Sequence, residues 1–212
     1  MSVGMERYPC VYMRGGTSKA VIFHKKDLPE DRTLWADIFL KVMGTPDPKQ
    51  IDGMGGTVSS TSKIAVIAPS QRADADVDYY FVQVDIKQPN VSDNLNCGNI
   101  SSAVGPFAID EGLVPAVEPV TTVRIYNENT KKIIESHVRV SNGKAEVYGD
   151  TEIDGVPGTG SSGRSGDRED FSNRKADGNT GYSWLWPNCG DDCGYFKRGS
   201  VCSCCRCWHE RR

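Results

Sequence analysis

The sequence lacks three features that would point to a membrane, a nucleic acid or secretion. Its 212 residues contain no apolar run of the ~18 residues that a membrane-spanning helix needs. The formal net charge is −3 and no segment concentrates Lys and Arg. Residues Met1 to Arg14 lack the basic and then apolar layout of a secretory signal. We therefore expect a cytoplasmic protein without a nucleic acid or membrane partner.

Signatures of nucleotide binding and of Ser hydrolases are also missing. The P-loop pattern GxxxxGK[ST] does not occur, and no GxGxxG lies between a predicted strand and a predicted helix. His24 and His137 lie on strand-like runs, and the sequence indicates no acidic and Ser partners for either, which gives a hydrolase triad no support. The sequence thus predicts no nucleotide cofactor and no metal.

The cysteines are distributed too unevenly for a single disulfide framework. The sequence has eight, of which Cys10 and Cys97 stand alone. The other six crowd into the end of the chain, at Cys189, Cys193, Cys202, Cys204, Cys205 and Cys207. This asymmetry predicts two unlike segments, an ordered one over residues 1–160 and an aberrant one over residues 161–212.

Residues 1–160 have the pattern of an α+β domain. Strand-like runs at 7–14 and 19–25 flank Gly15-Gly16, as in a hairpin. An amphipathic helix is predicted at 31–44, and a buried helix, bent or divided at Pro106, at 99–112. Further strands are predicted at 62–68, 79–86, 121–126, 132–140 and 144–148.

Residues 161–212 fit neither helical nor strand periodicity. Leu185 and Val201 are the only aliphatic residues larger than Ala in this stretch. So little apolar surface cannot offset the entropy of ordering the chain, so we expect a disordered tail. Its composition resembles translation in a wrong reading frame. The functional alternative is a zinc-binding interaction module made of the cysteines and His209, although their spacing matches no standard zinc motif.

Three small-residue clusters could surround an anionic ligand, namely MRGGTSK (13–19), IDGMGGTVSSTSK (51–63) and DNLNCGN (93–99). Lys63 ends the second cluster, and it is either a solvent-facing Lys or, in a dry pocket, a general base. Cys97 precedes the predicted buried helix, whose N-terminus favours a thiolate; the alternative is an inert buried thiol. Arg14 could pair with a carboxylate or simply lie on the surface.

In this order, four blocks resemble the PrpF family: MRGGTSK, DGMGGTVSSTSKIAVI, NCGNISSAVGPFAIDEGLV and IDGVPGTG. The similarity runs from about Tyr8 to Gly160. The family includes 2-methylaconitate cis-trans isomerase and related methylitaconate, aconitate and oxalomesaconate isomerases or tautomerases. It implies a fold like half of diaminopimelate epimerase, with a curved mixed sheet around a buried central helix.

The resemblance also implies roles for particular residues. Lys63 and Cys97 would be catalytic, the Lys as the base that removes a proton beside a carboxylate and the Cys as its opposing acid. The substrate carboxylates would be held by Arg14, Thr17, Ser18, Asn96, Gly98 and Asn99. The substrate would be a small unsaturated di- or tricarboxylic acid, and no metal or cofactor is required.

Members of the family continue after GVPGTG into a second domain that closes the cleft. Residues 161–212 contain nothing that resembles it. We therefore expect little or no isomerase activity from this truncated chain. The alternative is an inactive remnant or a weak carboxylate-binding protein. An apolar face left uncovered by the second domain would favour self-association.

Overall fold

The computed structural model describes residues 6–167 and 181–184. Its helices are α1 (Trp35–Met43) and α2 (Gly98–Asp110). Its strands are β1 (Val11–Gly15), β2 (Ser18–His24), β3 (Lys63–Pro69), β4 (Val77–Val84), β5 (Val91–Ser92), β6 (Val120–Asn127), β7 (Lys132–Ser141), β8 (Lys144–Ala145), β9 (Ser161–Asp167) and β10 (Gly181–Trp184). Within these residues, no helix has the length and apolarity to cross a membrane.

The strands of the described residues form one mixed sheet with the order β1-β2-β3-β4-β6-β7-β9-β10. The pairs β2–β3 and β4–β6 are parallel, and the other pairs along this path are antiparallel. The short strands β5 and β8 pair with β4 and β7. The first and last strands of the order, β1 and β10, lie close together, so the sheet curls around what lies inside it.

Helix α2 lies on the inner face of this sheet and contacts strands from both ends of it, including β1, β2, β6, β7 and β9. It is apolar around its whole circumference, and Ile100 to Ile109 are all buried. Gly105 lets the helix approach β7 closely, because a Cβ there would lie 2.5 Å from Ser136 Oγ. The expected α+β half, a curved mixed sheet around a buried central helix, is confirmed.

Helix α1 covers the outer face of the sheet. Its buried residues Trp35, Ile38 and Phe39 pack in a second apolar cluster with residues of β2, β3 and β4 such as Phe23 and Val66. Because side chains alternate along a strand, β3 and β4 contribute to both clusters. The two apolar faces account for the near-continuous hydrophobic run that follows Lys63.

The predicted elements are largely present, with differences at their ends. The helix expected at 31–44 begins with a 3-10 turn at Arg32–Leu34, and Gly44 ends it in the left-handed conformation with φ 73°. The helix α2 is continuous through Pro106 rather than divided. The strand expected at 144–148 is only two residues long.

Regular structure continues beyond Gly160, which the sequence analysis did not predict. Strand β9 pairs with β7, with Ser136 opposite Ser165, and β10 pairs with β9. Strand β9 is rich in Ser and Gly and has no apolar side chains of its own. The main-chain hydrogen bonds that it forms with the edge of β7 hold it in the sheet. The expectation of a disordered tail over residues 161–212 is therefore wrong for the two strands β9 and β10. The rest of that tail, residues 168–180 and 185–212 with the six cysteines and His209, lies outside the described residues.

Candidate active site

Lys63 is the first residue of β3, an interior strand, and its side chain is only 8% exposed. Strand alternation places Lys63 on the same face as Ala65 and Ile67, which pack in the cluster around α2. Its ammonium lies 5.2 Å from the ring centroid of Phe81 in this cluster. Lys63 is therefore a buried amine on the inner face rather than a solvent-facing surface residue.

Gln83 on β4 is the hydrogen-bond partner of this amine. Lys63 Nζ donates to Gln83 Oε1 at 2.6 Å, and the two residues are directly opposite each other in the β3–β4 ladder. Sequence reasoning missed Gln83, because its importance depends on the register between two strands that are 20 residues apart in the sequence.

Gln50 holds the glycine-rich segment before Lys63 in place through hydrogen bonds of its side chain. This residue is 1% exposed; its amide donates to Ser62 Oγ at 2.8 Å and accepts from the Thr57 N–H at 2.9 Å. The segment passes so close to α1 that a Cβ on Gly53 would lie 2.1 Å from the Met43 carbonyl carbon. These contacts fix the backbone that leads into Lys63.

Cys97 is the N-cap residue of α2, with an extended backbone and no capping hydrogen bond from its own side chain. The first main-chain bond of the helix runs from Ser101 N–H to the Cys97 carbonyl at 2.9 Å. The N–H groups of the first turn therefore lie free of helical partners beside the thiol, where the helix dipole favours negative charge. The half-buried Cys97 also packs against the inner apolar cluster.

Tyr79 lies beneath this helix start with its phenol completely buried. Ser101 and Cys97 lie close to its Oη. Burial raises the pKa of Tyr79 well above its usual value, and the charge of a Cys97 thiolate would raise it further. The phenol beside Cys97 therefore stays protonated and neutral.

The segment 93–97 is anchored by two asparagines that lie across the sheet. Asn127 Nδ2 donates to Asn96 Oδ1 at 2.8 Å, and Asn129 Nδ2 donates to the Asp93 carbonyl at 2.6 Å. Tyr80 Oη donates to the Asp93 carboxylate at 2.7 Å. Sequence reasoning identified Asn96 but not its partner Asn127, because Asn127 lies at the end of a different strand, β6.

The first motif packs directly against the N-terminus of α2. Asn99 Nδ2 donates to Thr17 Oγ1 at 3.0 Å. A Cβ on Gly15 would lie 2.2 Å from the Asn99 carbonyl oxygen, so the hairpin can approach only with glycine there. Gly16 adopts φ 53°, and its carbonyl accepts from Arg14 at 2.6 Å. Burial lowers the pKa of Arg14, which nevertheless remains charged.

The structure brings the three motifs to one end of the inner sheet face. Lys63 pairs with Gln83, which in turn pairs with Ser92, the last residue before the segment that carries Cys97. Ser18 is 2% exposed and shares its strand face with Ala20 of the inner cluster. Gly98 is exposed at the helix start.

No group of three metal-ligating side chains occurs among residues 6–167 and 181–184. His24 does have an acidic partner, contrary to the sequence analysis: Glu111 accepts its ring hydrogen bond at 2.9 Å. The two residues are 87 positions apart, and Glu111 follows the C-terminal end of α2, away from Cys97. The hydrogen bond from His24 lowers the pKa of Glu111 despite partial burial.

A half-barrel that presents a buried amine and a thiol at a helix N-terminus is suited to acid–base chemistry on an anion. Residues 5–181 match the family described as PrpF protein. The chain belongs to this family, and the match extends 21 residues beyond Gly160, where the sequence analysis ended it (181 − 160).

Several relatives are named isomerases. The chain is 55% identical over 153 residues to 3-methylitaconate isomerase from Eubacterium barkeri, covering 72% of this chain and 40% of the relative. It is 52% identical over 156 residues to 4-oxalomesaconate tautomerase from Pseudomonas putida, covering 74% and 43%. It is 49% identical over 160 residues to 2-methyl-aconitate isomerase from Cupriavidus necator, covering 71% and 40%.

The fold is likewise similar to a solved structure. The crystal structure of methylitaconate-delta-isomerase superposes with a TM-score of 0.73 and 53% identity, covering 75% of this chain and 41% of that one. The chain thus spans about two fifths of the length of the curated relatives it matches.

Proposed function

We propose that this chain carries one wall of the active site of a cofactor-independent isomerase. The enzyme would shift a proton and a double bond on a small unsaturated di- or tricarboxylic acid. The observation that carries the proposal is the buried Lys63 amine on the sheet face that also packs α2 and Cys97. Among the described residues, no carboxylate forms an ion pair with this amine.

In the proposed reaction, Lys63 as the free amine takes a proton from an sp3 carbon of the substrate. The electrons of the broken C–H bond form a new double bond, and the original double bond shifts towards the carboxylate as a dienolate. Cys97 then gives a proton to the far end of the three-carbon unit. Base and acid exchange protonation states, and no oxidant or reductant is needed. In the reverse direction, the two residues swap roles.

Carboxylate binding is assigned to the motif residues around the start of α2. The uncapped N–H groups at Gly98 and Asn99 would hold the oxygens on which negative charge develops. Thr17, whose hydroxyl is oriented by Asn99, borders the same site. We add Arg14, Ser18 and Asn96 to the binding set, since each lies in or against one of the three motifs.

The substrate class is proposed from the names of the relatives. These name methylitaconate, 2-methylaconitate and oxalomesaconate, all of which carry at least two carboxylates beside a carbon–carbon double bond. Aconitate has the same arrangement. Which acid this chain takes would depend on residues around the methyl or oxo group.

The test is proton exchange in D2O, because it detects proton removal even where complete turnover is weak. The intact chain is incubated with methylitaconate, 2-methylaconitate or cis-aconitate, and deuterium incorporation is followed by NMR. Lys63→Met should lower the exchange rate by at least about 100-fold, the usual contribution of a general base. Cys97→Ser should lower exchange at the opposite carbon. The matched controls Lys49→Met and Cys10→Ser should leave both rates unchanged.

Because the chain spans about two fifths of these relatives, we propose that it turns substrate over far more slowly than they do. A substrate held by one wall of the site alone would be poorly positioned for proton transfer, even though Lys63 itself is buried. The second candidate is therefore carboxylate binding without turnover, which the uncapped start of α2 favours. Amide shifts at residues 97–101 on addition of the acid, with no deuterium incorporation at any pH, would select this candidate. Equal exchange in Lys63→Met and the parent chain would refute the proposed base.

A further inference from the structure

Gln83 is held in one orientation by the main chain. Its Nε2 donates to the Ser62 carbonyl at 2.8 Å and the Ser59 carbonyl at 3.1 Å, and reaches the Val84 carbonyl at 3.4 Å. Carbonyl oxygens only accept hydrogen bonds, so the NH2 end of the amide must face them. The opposite end, Oε1, is thereby fixed towards Lys63 Nζ at 2.6 Å.

This orientation determines where the Lys63 amine points. A neutral amine has two N–H donors and one lone pair, and Gln83 Oε1 can only accept. One N–H is therefore directed at Gln83, and the lone pair must point elsewhere. The centroid of the Phe81 ring lies 5.2 Å from Nζ on the inner sheet face and borders a second side of the nitrogen.

The partner is also neutral, which distinguishes Gln83 from an acid. An amide oxygen accepts from an ammonium and from a free amine, whereas a carboxylate strongly favours the ammonium. Of the groups that contact the Lys63 amine, Gln83 and Phe81 are uncharged. Among the described residues no carboxylate forms an ion pair with it. The titratable groups on the inner side of α2, its N-cap and β4 are Cys97 and Tyr79 near the helix start and Asp110 at the opposite end of the helix. Tyr79 stays protonated.

We propose that Gln83 is the positioning residue of this site, which aims the Lys63 amine and leaves it an uncharged partner so that it can act as a free base. The inference rests on the proposed role of Lys63. A purely structural role would instead have Gln83 tie the 3-10 turn at Ser59–Thr61 to β4, with no influence on the proton of Lys63.

The experiment measures the protonation of Lys63 directly and needs no substrate. The intact chain is labelled with ¹³C at the lysine Cε, and Lys63→Met assigns the resonance by its loss. Gln83→Glu should move the midpoint of the Lys63 titration upwards by at least about 1 pH unit, because an opposite charge in contact favours the ammonium. Gln83→Met should move it downwards, because the amine stays buried but loses its acceptor.

The matched control is Gln71→Glu. It introduces the same charge change at an exposed position beyond the far end of β3, and should leave the Lys63 midpoint where it is. A folded Gln83→Glu or Gln83→Met protein, judged by its amide spectrum, with an unchanged midpoint would overturn the inference. If one of the two fails to fold, the other decides alone.

The outcome is separable from that of the proposed function. If Lys63→Met leaves deuterium exchange intact, Lys63 is not the base, whatever the titration shows. If exchange depends on Lys63, Gln83→Glu should slow it at least about tenfold at neutral pH, and the loss should be recovered at higher pH. A tenfold loss that is the same at every pH would indicate misplacement alone and would refute the charge argument.

Discussion

Substituting Gly15 by Ala isolates the contact between the first motif and the start of α2. The added Cβ would lie 2.2 Å from the Asn99 carbonyl oxygen and 3.1 Å from the Ala103 Cβ. Ordinary contact between nonbonded heavy atoms needs ~3.5 Å, so the hairpin and the helix must separate by about 1 Å. Because the obstacle is main chain, no side-chain rotation can relieve it.

The change in the free energy of unfolding caused by Gly15→Ala follows from two opposing effects. Overpacking of a close contact lowers it by about 3 kcal/mol where the backbone has to move. Ala in place of Gly restricts the unfolded chain, which raises it by ~0.4–1 kcal/mol. The net loss of about 2 kcal/mol should lower the melting temperature by about 4–8 °C in a chain of this length.

Gly143→Ala is the control. Gly143 has φ 73° with nothing within 4 Å of the added Cβ, so that substitution adds backbone strain without a clash. Both melting temperatures are measured by circular dichroism, and amide spectra report on residues 97–101. Gly15→Ala should shift these amides and Gly143→Ala should not. A Gly15→Ala protein as stable as the parent, with unshifted amides at the start of α2, would refute the packing argument.

Two further changes test the anchoring of the site and of the sheet. Asn127→Leu leaves two turn N–H groups and Asn96 without their partner, so it should lower the free energy of unfolding, measured in urea, by about 2–4 kcal/mol. Asn127→Asp keeps the acceptor and should lower this free energy less. Equal losses in the two variants would contradict the role assigned to Asn127. Burial alone would raise the pKa of Asp76, but hydrogen bonds from Arg124 outweigh it and lower the pKa below the ordinary value. Its stabilisation is therefore present above about pH 4 and lost as the pH falls further, so Asp76→Asn should destabilise the chain at pH 7 and no longer at about pH 2. Asp150→Asn, at an exposed position, is measured beside it as the control for the change in charge.

The elements that were predictable from the sequence are those whose signals are local. The hairpin around Gly15-Gly16 and the helix end at Gly44 depend on residues within a few positions of each other. The inner helix was predictable because it is apolar on every side, which places it at the centre of the domain. Its continuity through Pro106 was not, because tertiary packing on both faces holds a helix that local propensity would break.

The partners of the site residues were not predictable, since they are set by strand register. Gln83 reaches Lys63, and Asn127 reaches Asn96, only once β3, β4 and β6 are aligned. An isolated Gln or Asn in a strand has no local pattern that distinguishes an anchor from a surface residue. Strand β9 was missed for a related reason, because its pairing comes from the free edge of β7.

The register of β3, β4 and β5, which the sequence did not reveal, also explains how the motifs come together. Three neighbouring strand ends, Lys63 on β3, Gln83 on β4 and Ser92 on β5, lie side by side, and the chain leaves β5 directly into the segment that ends at Cys97. The amine is thus fixed by a ladder of main-chain bonds, whereas the thiol is fixed by a helix start that the hairpin touches. A shift of β4 against β3 by one residue would turn Gln83 to the outer face and leave the buried amine without its acceptor. The contact between Lys63 and Gln83 therefore depends directly on this register.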